Sequence, residues 1–157
     1  MENIERAIAT SQSLHKALGE EVARAQTQRE LIKNFDSQAL LERAALRGRF
    51  NNQVKHLQAQ LADALKAVAQ EYDMPVVTIE ALGRLMAEPT DRLAASLAEV
   101  RALAGTLKEL DALNRHLASR ANAMVKGYLG ALTGSSTTYN HRGESRPLAG
   151  STYSGTA

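Results

Sequence analysis

Apolar and small residues recur every seven positions at the start of the chain, at Ile4, Ser11, Leu18, Ala25 and Ile32, with Ile8 and Val22 on the adjoining rail. A seven-residue period keeps one stripe of a helix against a neighbour, so a helix is predicted over 4–34, its seam weakened by small and polar members. Asn34-Phe35-Asp36-Ser37 supplies turn and capping chemistry, because an Asp or Ser oxygen accepts from the free amides of a following helix. The second helix is predicted over 37–72, its apolar line running through Leu46, Phe50, Val54, Leu57, Leu61, Ala64, Leu65, Val68 and Tyr72, with Gly48 a weak point. Pro75 cannot continue that helix. Thr78 then caps a short helix over 78–87, and Glu88-Pro89-Thr90 interrupts again before Thr90 caps the last helix, predicted over 91–132.

That last helix changes character along its length. Leu93, Val100 and Leu107 give way to Asn114 and Ala121 on one rail, and Leu97 and Ala104 to Asp111 and Ala118 on the next. The polar stretch has two readings: a register device inside the bundle, or the point where the intramolecular core stops and Leu117, Met124, Val125, Tyr128 and Leu132 begin a separate adhesive strip. The fold class is all-α: an elongated antiparallel helical hairpin plus a long third helix forming a coiled-coil-like bundle, with a short connecting helix. The third helix should overhang its partners. Residues 1–132 make this bundle domain, and 133–157, rich in Ser, Thr and Gly, read as a flexible tail too polar to repay its ordering entropy.

Aromatic residues are 4% of the chain and Trp is absent, which suits helices better than sheets. No Cys is present, so disulfides and thiolate metal sites are excluded. The start has no signal-peptide core, and no run of apolar residues is long enough to span a bilayer, so a soluble cytoplasmic protein is expected. His15, His56, His116 and His141 lack ligand spacing, and His15 reads as an edge-of-core histidine. Glu20 and Glu21 read as a solvated face. There is no phosphate loop, nucleophile elbow or catalytic pair, so no enzyme, cofactor or metal is expected.

Charge is more telling than composition. From Ala112 to Gly143 the chain carries Arg115, Arg120, Lys126 and Arg142 without an Asp or Glu, whereas elsewhere the signs mix. Arg43, Arg47, Arg49, Lys55 and His56 form a second basic group, but Glu42 interrupts it and no nucleic-acid module accompanies it, so it reads as a solvated face. The basic helix end has too little apolar bulk for a stable membrane association.

The order of elements resembles the FlgN-type flagellar export chaperones. The resemblance is carried by Leu107 through Leu117, then Val125-Lys126-Gly127-Tyr128-Leu129-Gly130-Ala131-Leu132-Thr133-Gly134 and Tyr139 through Gly143, with Asp36-Ser37-Gln38-Ala39-Leu40 opening the second helix. Two departures are Asp111, where members often carry Asn, and Asn140 after Tyr139. The resemblance implies a cytoplasmic chaperone that binds the C-terminal helices of the hook-filament junction proteins, prevents premature assembly, and delivers them to the ATPase or gate of the export apparatus. Amphipathic client helices would complete a shared bundle on Asn114, Leu117, Ala121, Met124, Val125, Tyr128 and Leu132, flanked by Arg115, Arg120 and Lys126, with Tyr139 as a tail contact. The alternative is a self-associating coiled-coil protein, a weak homodimer through the same strip, or a membrane-surface adaptor.

Overall fold

A computed structural model describes residues 1–132, together with the backbone of two short strands beyond them. The helices are α1 (Glu2–Lys33), α2 (Ser37–Glu71), α3 (Ile79–Leu85) and α4 (Ala87–Leu132). The strands β1 (Thr138–Tyr139) and β2 (Ser145–Arg146) pair antiparallel, Thr138 opposite Arg146. The rest of 133–157, where a flexible tail was expected, lies outside the described residues.

The helix ends follow from local chemistry. Asp36 Oδ1 accepts from the Ala39 amide at 3.0 Å and Thr78 Oγ1 from the Ala81 amide at 3.1 Å, so two of the three expected caps are present. α1 stops because Phe35 enters the left-handed region at φ 53, letting the Asp36 amide reach the Leu31 carbonyl and the Phe35 amide the Ile32 carbonyl. Asp73, at φ 48, closes α2 in the same way ahead of Pro75, its own amide reaching Gln70 O and that of Met74 reaching Ala69 O. Thr90 is not a cap. α4 already starts at Ala87, and Pro89 sits in its first turn, where backbone amides have no helical partner to lose. Thr90 is buried and its hydroxyl donates back to the Met86 carbonyl at 2.7 Å.

The chain divides into two compact units, Met1–Ala118 and Ser119–Ala157. In the first, α1 and α2 are antiparallel, as Asn3 to Glu71 and Glu21 to Arg43 show. α4 runs parallel to α1: Arg92 meets Glu5, Ser96 meets Ser11, and Asn114 meets Ala25. One apolar cluster joins Ile4, Ala7, Ile8, Ala64, Val68 and Leu93 with Leu82 of α3. The other joins Ala17, Leu18, Ala25, Phe50 and Leu107. Full burial of each large side chain contributes about 1.5–3 kcal/mol. Ser11 Oγ lies 2.8 Å from both Ser96 Oγ and the Ile8 carbonyl, a polar step along the seam whose groups are satisfied.

Every member of the α1 rail, Ile4 to Ile32, is buried. His15 is half-buried, with Nε2 3.8 Å from Glu99 Oε2, as an edge-of-core histidine should be. Leu46 departs from the α2 line: it is exposed, and its expected place is taken by Arg43 and Arg47. Gly48 is exposed, and a β-carbon added there meets nothing within 4 Å. Gly48→Ala should therefore raise stability by about 0.5–1 kcal/mol, read as a higher urea midpoint with an unchanged slope.

Candidate partner-binding site

Apolar residues recur at helical spacing towards the end of α4. At 3.6 residues per turn, Leu117, Ala121, Met124, Val125, Tyr128 and Leu132 fall within an arc of about 100°. In the first unit, Leu107 and Asn114 of α4 are buried. Leu117 and Ala121 are half-buried. Met124 is 55% exposed, Tyr128 63% and Leu132 81%, with Val125 lower at 39%. A depression of about 390 Å³ opens beside Met124, Gly127, Tyr128 and Ala131.

The cations divide differently from the expectation. Arg115, Arg120 and Lys126 are all exposed, but only Arg120 borders the arc. Lys126 and Arg115 fall on the other half of the helix, more than about 120° from its centre by the same helical arithmetic, so they do not flank the strip. The Arg115 Nε instead donates to the Asp111 carbonyl at 3.4 Å. The side chain of Tyr139 lies outside the described residues.

Asn114 belongs to the bundle rather than to the strip. It is 4% exposed, and its Nδ2 donates to the Ala25 carbonyl of α1 at 2.8 Å. The register reading of the polar stretch therefore holds for Asn114, and also for Asp111, which accepts both Arg47 guanidinium branches at 3.2 and 2.5 Å.

The same pairing exposes a cluster that sequence reasoning placed in solvent. Glu21 is fully buried, with its Oε1 accepting from Arg43 Nη2 and, at 2.8 Å, from Arg47 Nη1. Arg43 is buried as well, and Arg24 Nη1 lies 3.4 Å from Glu21 Oε2. The Arg47 guanidinium also stacks over Phe50, 5.3 Å from the ring centroid. Burial pulls the Arg47 pKa down, but the hydrogen bonds and charges of Glu21 and Asp111 outweigh it and leave the pKa raised. The cluster ties α1, α2 and α4 together at one level.

No family model, curated protein or solved structure matches the chain. The site therefore stands on its own geometry. Among the described residues, no group of three or more His, Asp or Glu side chains could hold a metal ion. No described helix is long and apolar enough to cross a membrane.

Proposed function

We propose that this chain is a cytoplasmic export chaperone of the FlgN type, holding amphipathic C-terminal helices of flagellar hook-filament junction proteins on the end of α4 and passing them to the ATPase or gate of the export apparatus. The observation that carries the reading is the run of exposed apolar side chains at Met124, Val125, Tyr128 and Leu132, on a helical stretch with no acidic residue after Asp111. A helix laid on such a strip buries its own apolar face and gains main-chain shielding, the usual basis of helix-in-groove recognition. Arg120 favours an acidic residue on one border of that client helix. Area of this size contributes several kcal/mol before ordering costs, which suits a complex that must later release its cargo.

The test is titration calorimetry against C-terminal peptides of the junction proteins from the same organism. One-to-one binding is expected, weakened at least about tenfold, or about 1.4 kcal/mol, by Val125→Asp. Helicity and thermal midpoint should stay unchanged in that variant. Absence of binding to either peptide would sink the chaperone reading. Sedimentation that depends on concentration in the parent chain but not in Val125→Asp would assign the strip to self-association instead.

A further inference from the structure

We infer that the groove between α2 and α4 of the first unit, beyond the end of α3, binds an acidic amphipathic helix of a partner protein. α3 shows the mode of binding in miniature. Its Leu82 is fully buried in the cluster with Ile4 and Ile8 of α1, Val68 of α2 and Leu93 of α4, and Leu65 of α2 and Leu97 of α4 pack against the same cluster. α3 is only seven residues long. Seven residues nearer the α1–α2 turn, the same two rails reach Gln58 and Ala104, which are exposed and line a groove of about 360 Å³. Its walls include Val54 of α2 and Val100 of α4, both half-buried, so apolar surface is open to a ligand there. A helix thus occupies the fourth place of the bundle at one end, and the groove continues that place for the rest of its length.

Length and charge specify the occupant. From Val100 to Arg115 the α4 wall runs about 22 Å at 1.5 Å per residue, the length of about four helical turns. Arg101, Lys108 and Arg115 recur every seven residues along this wall and are all exposed, and the last two line the groove. Among the described residues none of the three has an acidic partner; Arg115 reaches only the Asp111 carbonyl. The one carboxylate in the lining, that of Asp111, is held by both branches of Arg47. A cationic rail at heptad spacing beside an apolar seam selects a helix with acidic flanks, as flanking charges do in coiled coils. A second copy of this chain does not supply them, because none of α1–α4 carries two acidic residues seven apart. The groove shares no residue with the strip at 124–132 and does not depend on the function proposed for it.

The test uses the full chain with carbon-13 alanine methyls, following the Ala104 signal by NMR. Two N-acetylated, C-amidated peptides of three heptads are titrated: Glu-Leu-Ala-Ala-Leu-Glu-Ala repeats, and the same repeats with Lys for each Glu. The acidic peptide should shift the Ala104 signal saturably, and the basic one should bind at least about tenfold more weakly. Lys108→Glu combined with Arg115→Glu, both at exposed positions, should reverse that preference without lowering the thermal midpoint. Lys108→Glu alone should narrow the preference, and Val125→Asp should leave it intact. A preference that is absent or survives the charge reversal would overturn the assignment, as would an Ala104 signal that neither peptide moves. A signal that moves with protein concentration alone would overturn it in favour of a second copy, and one moved equally by dodecanoate in favour of a small amphiphile.

Discussion

Glu21→Ala should be among the most damaging single substitutions in this chain, lowering stability by about 3–5 kcal/mol in chemical denaturation, because it leaves a buried guanidinium without its counter-charge. Arg43 has 7% of its side chain exposed and donates to Glu21 alone. Arg47 loses less, since Asp111 still holds it through both branches. The asymmetry leads to a sharper expectation for the double variant Glu21→Leu with Arg43→Met. Removing both charges together abolishes the desolvation cost along with the attraction, so the pair should regain most of what the single change loses. A double variant as unstable as Glu21→Ala would show that the ion pair itself, rather than the stranded charge, sets the penalty.

The second large effect divides α4 into two halves with opposite responses. Leu93 is fully buried in the cluster with Ile4, Ile8 and Val68, so Leu93→Ala should cost about 2–5 kcal/mol, from lost transfer energy and from the cavity left behind. Tyr128 removes a larger side chain from the same helix, yet it is 63% exposed, and Tyr128→Ala should change stability by no more than about 0.5 kcal/mol. Urea midpoints of the two variants, measured side by side, check this directly. A large loss in Tyr128→Ala would mean that the distal face is covered in solution, by another copy or by the chain itself.

These effects also show why the bundle was easier to read than its polar centre. Apolar content marks the seam wherever the seam is apolar, so Ile4 to Ile32 and Phe50 to Val68 stood out. Glu21, Arg43 and Arg47 carry the hydropathy of solvent while occupying seam positions. Steps of three and four run from Val68 through Ala64, Leu61, Leu57 and Val54 to Phe50, and continuing them leads to Arg47 and Arg43, not to Leu46. On α1 the same steps lead from Ser11 through Leu14 and Leu18 to Glu21 and Ala25. Register carried the signal that residue type concealed. Thr90 misled for a related reason: a good capping residue after Pro suggests a helix start, although Pro89 is at home within a first turn. For the strip, composition identified its members, but periodicity names no partner. The helical spacing that gathers the apolar residues also separates Arg120 from Arg115 and Lys126, so the division of the cations was legible in the sequence.

The parallel course of α1 and α4 has a kinetic consequence. Ser11 and Ser96 are 85 positions apart in the chain, and Ala25 and Asn114 are 89 apart. By contrast, Glu21 and Arg43 are separated by 22, across a tight turn. Closing the longer loop costs more chain entropy and returns nothing until α2 and α3 have brought the chain back. The α1–α2 hairpin is thus the element able to form early, and α4 arrives as a late strap whose docking is the step most open to competition from a foreign helix.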